Sequence, residues 1–212
     1  MIIIIIVENN FTKIFMEEKL FKNGFKKILA IDEVGRGSLA GPFFVGGLLL
    51  TYDNYSKLKK LNITDSKKIN STKRNKIFQE IKKLKIKYKI KKFSNKTIDK
   101  LGLGECFYIG ILDLFNFFKP HIALVDGKEI KRIKKAIKKI KFIIKGDEKL
   151  ISIGAVSIIV KVLRDNYMIK LHRKIPFYNF RENKGYGTYF HLQKIKERGI
   201  SIYHRKSFLK NI

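Results

Sequence analysis

The chain has 212 residues, 45% hydrophobic and 31% charged, enough length and apolar content to bury a core without disulfides, which excludes wholesale disorder. A formal charge of +29 suits a polyanionic partner, but most of the 47 basic residues are lysine, and isoleucine and asparagine are abundant. AT-rich codon drift produces the same pattern, so charge alone identifies no partner. The single Cys106 excludes an intramolecular disulfide and a cysteine-based zinc site, and it reads as buried filler in a reducing compartment.

The opening run from Met1 to Val7 is apolar but shorter than a membrane span, and it lacks the basic start and cleavage site of a signal peptide. A cytoplasmic protein with no membrane partner is expected, a monomer by default. Residues 1–27 read as an N-terminal lead-in; with no repeat or linker after them, residues 28–212 read as one domain, helical from about residue 170.

Short apolar runs at 28–31 and 43–51 predict buried strands, and residues 71–83 have helical length and propensity. From 83 to 91 lysine alternates with Leu84, Ile86, Tyr88 and Ile90, the period of a strand with one packed face. Its lysines read better as a protected sheet edge than as a phosphate-facing ribbon. A helix at 104–118 and a strand at 121–125 follow. Next come a short amphipathic helix on Ile133, Ala136, Ile137 and Ile140, a strand at 142–144, and helices at 152–170 and 188–198. The order β-β-β-α-β-α-β-α predicts an α/β fold, a mixed five-stranded sheet with later parallel crossovers and helices on its faces.

Only 18 residues are acidic, and three predicted strands run into them: 28–31 into Asp32-Glu33, 121–125 into Asp126, and 142–145 through Gly146 into Asp147. Taken singly, each acid reads as an N-cap, a turn residue or half of a surface ion pair. Strand carboxyl ends, however, are where α/β sheets build their sites, so the four acids converge on one place in this arrangement. Converged carboxylates repel unless a cation neutralises them, and oxygen ligands without a His or Cys cluster favour Mg²⁺ or Mn²⁺ over zinc. Such ions activate water for phosphodiester hydrolysis, with a second ion about 4 Å away steadying the leaving oxygen.

The segment AIDEVGRGSLAGP, from Ala30 to Pro42, resembles the signature of type 2 ribonucleases H (ribonuclease HII). It is joined in order by TDSKK at 64–68, VDG at 125–127, KGDEKLISIGAVSIIVKVLRD at 145–165, NKGYGT at 183–188 with His191 after it, and HRKSF at 204–208. The resemblance implies a ribonuclease H-like fold with a C-terminal helical extension, and Asp32, Glu33, Asp126 and Asp147 as metal-binding catalytic acids. It implies that Gly35, Arg36 and Gly37 read the ribose 2′-hydroxyl. It also implies that Tyr186 packs on the deoxynucleotide sugar next to the cut, and that Ser66, Lys67 and Lys161 hold backbone phosphates.

The activity so implied is hydrolysis of the RNA strand of RNA/DNA hybrids and cutting 5′ to single ribonucleotides in duplex DNA, leaving 3′-hydroxyl and 5′-phosphate ends. Glu129, Glu148 and Asp165 are nearby acids left out of the site; Asp165, beside Arg164, reads as a structural ion pair. Ser38 stands where the family usually has proline, and Gly154, Val156 and Val160 where it usually has alanine, so local repacking is expected. Two other readings compete. A type 3 ribonuclease H would share the acids but carry a sizeable N-terminal substrate-binding domain, for which the 31 residues before Asp32 leave no room. A non-catalytic basic nucleic-acid-binding module leaves the placement of the acids unexplained.

Overall fold

The computed structural model describes residues 15–61, 63 and 69–210. Its centre is β1 (Ile28–Val34), an apolar run buried on both faces, flanked by β2 (Phe43–Leu50) in antiparallel register and β4 (Ile122–Asp126) in parallel register. β3 (Tyr88–Phe93) closes one edge against β2, and β5 (Ile140–Ile143) closes the other as a parallel neighbour of β4, giving the order β3-β2-β1-β4-β5. This is the mixed five-stranded sheet expected.

Helices cover both faces. The described ones are α1 (Phe15–Lys22), α2 (Tyr52–Lys59), α3 (Ser71–Lys83), α4 (Asn95–Phe118), α5 (Lys131–Ala136), α6 (Gly146–Lys149), α7 (Ile151–Lys174), α8 (Phe180–Asn183) and α9 (Tyr189–Arg198). Strand alternation sorts the core into two layers. Ile28, Ala30, Leu48 and Leu124 pack with Val156 and Val160 of α7, while Leu29, Ile31, Val45 and Val125 pack with Cys106, Ile111 and Leu114 of α4. By the same parity Asp32 and Asp126 belong to the α7 side and Glu33 to the α4 side. α4 is long and apolar enough to cross a membrane, but its apolar face is the cover of this sheet. Cys106 is buried there, as expected.

Several boundaries differ from expectation for local reasons. β1 continues through Asp32 and Glu33, which pair with Gly46 and Val45 instead of following the strand's end. The lysine-alternating strand begins only at Tyr88, because Leu84 caps α3 and Lys85 turns the chain at φ 53°. Lys89 and Lys91 both pair with Asp113 of α4, in keeping with a protected edge. α2 and α3 separate β2 from β3, so three consecutive strands do not occur. α4 begins at Asn95, ahead of the expected 104, and is broken at Gly102. Ile140, assigned to a helix by its spacing, opens β5, and Ala136 is exposed.

Under α7, β2 carries Gly46. A Cβ there would stand 2.2 Å from Val160 and 3.2 Å from Val156, so the bare glycine makes room for the larger side chains. α1, inside the expected lead-in, docks on the same helix. Its buried Glu17 accepts from the Ser152 backbone N–H at 3.0 Å and hydroxyl at 2.7 Å, and Leu20 joins the core.

Candidate active site

Asp32 is 5% exposed, and its Oδ1 accepts the Glu33 N–H at 2.7 Å. Burial, then the neighbouring Glu33 charge and that of Asp126, push its carboxyl up to about 7, against a hydrogen bond from Ser157 of α7 that holds it down. Burial also raises Glu33, opposed by Arg36, whose Nε and Nη2 donate to Glu33 Oε1 at 3.0 and 2.9 Å. The other oxygen, Oε2, is buried without a hydrogen-bond partner. Asp126 ends β4, and its Oδ1 accepts the Gly146 N–H at 2.6 Å.

The structure therefore brings Asp32, Glu33 and Asp126 within electrostatic reach of one another. It places the buried Asp147 one residue beyond the amide that holds Asp126. Among the described residues no three His, Cys, Asp or Glu side chains form a ready-made ligand set. What exists is a cluster of like charge in which Asp32 Oδ1, Glu33 Oε1 and Asp126 Oδ1 each accept a hydrogen bond from the protein. The raised Asp32 and the unsatisfied Glu33 Oε2 are what a bound divalent cation would relieve, and the donor set is all oxygen, so the residues fit Mg²⁺ or Mn²⁺.

Beside the acids runs the loop Gly35-Arg36-Gly37. Arg36 is half-exposed and lies 5.2 Å over Phe107 and 5.9 Å over Phe43, so its guanidinium rests on this aromatic pair. Gly35 has φ +89°, and a Cβ on it would sit 2.3 Å from Arg164 Nε; Gly37 is exposed with open space around it. Gly185 is equally constrained, at φ +83° with a virtual Cβ 2.4 Å from the Ala40 carbonyl. That approach lets the Gly185 carbonyl accept from Leu39 N at 2.7 Å and Ala40 N at 3.2 Å, and Ser38 bridges to Tyr186. The Gly-Arg-Gly loop and the Gly-Tyr-Gly turn are thus stitched together, with Tyr186 38% exposed.

Two fully buried arginines lock this junction. Arg164 donates Nε to the Pro42 carbonyl at 2.9 Å, Nη1 to the Lys184 carbonyl at 2.9 Å and Nη2 to the Ser38 hydroxyl at 2.7 Å, and lies 5.4 Å from the Tyr186 ring. Arg205 donates to the carbonyls of Gly41 at 3.0 Å and Arg36 at 3.2 Å; burial, then the Arg164 charge, bring it down to about 9. Neither was singled out from the sequence, nor was Ser157. The available signal was positional and covers the serines alone: Ser152 and Ser157 are the polar residues of the otherwise apolar, buried run 151–160 of α7.

Lys161 is partly buried on α7; burial raises the Asp165 carboxyl, against the charges of Lys184, Arg74, Arg164 and Lys161. Asp165 forms a structural ion pair, with Arg74 at 3.4 Å and not with its neighbour Arg164, and Glu129 pairs with Lys134. Ser66 and Lys67, with the rest of residues 64–68, lie outside the described residues.

Residues 29–211 match the family model of ribonuclease HII. A ribonuclease HII of Caldicellulosiruptor saccharolyticus is 39% identical over 199 residues, covering 93% of this chain and 94% of that protein. The ribonuclease HII solved in complex with PCNA from Archaeoglobus fulgidus superposes with a TM-score of 0.74 at 26% identity, over 85% of this chain and 94% of that one. The structure of Bst-RNase HIII with Mn²⁺, at 16% identity and a TM-score of 0.62 over 82% of this chain and 63% of that one, shares the fold. Since the family match runs from β1 past α9, through Asp32, Glu33, Asp126, Asp147 and both glycine loops, the chain belongs to the ribonuclease HII family, the metal-dependent RNase H hydrolases.

Proposed function

We propose that this RNase H endonuclease cuts the RNA strand of RNA/DNA hybrids, including the bond 5′ to a single ribonucleotide in duplex DNA, and leaves 3′-hydroxyl and 5′-phosphate ends. The observation that carries the reading is the mutually repelling set of buried Asp32 and half-buried Glu33 and Asp126, set beside a Gly-Arg-Gly loop that is stitched to Tyr186.

In this reading Asp32, Glu33, Asp126 and Asp147 hold two divalent ions, Mg²⁺ or Mn²⁺. When bound, these ions supply an activated water and charge stabilisation of the leaving oxygen. The chain's own residues do the rest. Ser157 and the Gly146 amide orient Asp32 and Asp126, and Arg36 holds one Glu33 oxygen so that the other is presented. The backbone of Gly35, Arg36 and Gly37, with open space at the exposed Gly37 and with Arg164 packed where a Gly35 side chain would stand, admits the ribose 2′-hydroxyl, the group that separates RNA from DNA. Tyr186 takes the deoxyribose on the far side of the cut, and Lys161, with Ser66 and Lys67, holds phosphates.

The test is a labelled duplex with one embedded ribonucleotide, incubated with Mg²⁺ or Mn²⁺, using the unmutated protein and Asp126→Asn. Cutting by the unmutated protein alone is expected. Binding without cleavage under either ion would indicate a nucleic-acid-binding module, and cutting confined to ribonucleotide runs would indicate type 3-like specificity.

A further inference from the structure

Two buried histidines of the C-terminal segment have no part in the reading above. His191 in the first turn of α9 and His204 are 0% and 1% exposed, and their Nε2 atoms stand 3.0 Å apart. Two neutral imidazole nitrogens at that distance share one proton, and the surroundings decide whose it is. At one end the Ser201 backbone N–H donates to His204 Nδ1 at 2.9 Å. An amide N–H only donates, so Nδ1 is bare and the proton of neutral His204 sits on Nε2. At the other end His191 Nδ1 lies 2.8 Å from the Tyr186 carbonyl oxygen. A carbonyl only accepts, so Nδ1 carries the proton and His191 Nε2 is bare.

The two ends are set by different segments, yet they demand the same middle: His204 Nε2–H donating to His191 Nε2. A charge on either ring would set two N–H groups against each other. The packing keeps the rings neutral, with the Tyr178 ring 4.7 Å from His204 and the Phe180 ring 5.4 Å from His191. The Tyr178 hydroxyl is turned away, donating to the Gly199 carbonyl at 2.9 Å.

We infer that this directed chain of hydrogen bonds, from Ser201 through His204 and His191 to the Tyr186 carbonyl, holds Tyr186 in place for ribonucleotide-junction recognition. His191 and His204 are thus positioning residues. Both backbone polar groups of Tyr186 are held, its N–H donating to the Asn183 carbonyl at 2.8 Å and its carbonyl accepting from the Thr188 N–H at 2.9 Å as well as from His191 Nδ1 at 2.8 Å. The chain also ties the turn to the ribose-reading loop, because His204 bridges to Ala40 and Arg205 N donates to the Leu39 carbonyl at 2.8 Å. The inference rests on Tyr186 acting at the junction, as proposed above.

Two measurements on the full chain test it. In the unmutated protein, long-range ¹⁵N–¹H spectra at neutral pH should show His204 as the Nε2–H tautomer and His191 as the Nδ1–H tautomer. Either opposite tautomer, or a charged ring, overturns the chain. In cleavage assays, the kcat ratio between a duplex with one ribonucleotide and a duplex with a ribonucleotide run should fall roughly three- to tenfold in His204→Leu. His204→Gln, whose amide reaches the position of Nε2–H, should keep most of the ratio. If His204→Leu does not fold, His204→Gln against the unmutated protein and the tautomers decide. A Tyr186→Ala protein with an unchanged ratio removes Tyr186 from the site and the positioning role with it. A shifted Tyr186→Ala beside an unshifted His204→Leu overturns the positioning role alone.

Discussion

The acids of β1 and β4 and the cationic and imidazole groups beneath the loop at 35–41 are wholly or partly withdrawn from solvent, yet they meet burial in opposite ways. Asp32, Glu33 and Asp126 set like charges side by side, so burial and repulsion push the first of them in the same direction, and Glu33 Oε2 has no hydrogen-bond partner. Arg164 spends its donors on backbone carbonyls and a hydroxyl, and the two histidines form a chain in which every nitrogen has a partner of the right kind. The proposed cation site is left short of positive charge; the scaffold beside it is close to saturated, with only Arg205 Nη2 lacking a partner among the described residues.

The sharpest way to expose the contrast is Asp126→Asn. The amide oxygen can still accept the Gly146 N–H, so the local fold stays, but one anion is gone from the set. Cleavage should drop on the order of a thousandfold, the loss of several kcal/mol of charge stabilisation. The metal-free protein should at the same time become more stable, by about 1 kcal/mol in denaturant unfolding, as the repulsion on Asp32 eases. Lower stability with intact cleavage would erase the distinction between the two regions.

On the scaffold side, Arg164→Met strands the carbonyls of Pro42 and Lys184 and the Ser38 hydroxyl in a dry interior. A loss of about 3–5 kcal/mol in urea unfolding is expected. Arg164→Lys should recover little, because a single ammonium cannot replace a guanidinium fork. A cost below about 1 kcal/mol for the methionine variant would mean that the junction does not depend on this clamp.

The two regions should also respond to pH with opposite signs. Asp32 is raised from 3.8 to about 7, so the fold favours its neutral form. The stability that follows is complete below about pH 4 and is lost as pH rises through about 7. His204 is lowered from 6.5 to about 4 by burial and by His191, so the stability it contributes is present above 6.5 and lost as pH falls through about 4. Added Mg²⁺ should therefore raise Tm more at pH 8, where Asp32 is ionised, than at pH 5. His204→Gln should flatten only the acid limb of the Tm curve. An equal metal response at both pH values would count against Asp32 as a ligand.

Much of this was legible in the sequence, for a physical reason: apolar runs ending in acids report a sheet and its carboxyl edge. Strand positions, the edge character of the lysine-rich strand and an ion-paired Asp165, though not its partner, followed from period and charge. The misplaced boundaries turned on backbone torsions that periodicity does not carry, such as Lys85 in the left-handed region and the break at Gly102. Arg164, Arg205 and Ser157 escaped because their partners are main-chain groups or residues more than 100 positions away. Periodicity can report that a polar residue is buried, but it cannot report what the residue holds.

The smallest expected effect probes how finely the scaffold is saturated. Ser38→Ala removes one acceptor from Arg164 Nη2, which still has the Ala40 carbonyl at 3.4 Å, a longer and weaker bond. About 1 kcal/mol should be lost in denaturant unfolding, the net worth of one buried hydrogen bond, with cleavage of the single-ribonucleotide duplex unchanged. Ser38 sits in the segment that joins the Gly-Arg-Gly loop to the Gly-Tyr-Gly turn, and its backbone bridge to Tyr186 does not need the hydroxyl. If cleavage fell while stability held, the hydroxyl would belong to the catalytic region and not to the clamp, and the boundary between the two would have to be drawn through this residue.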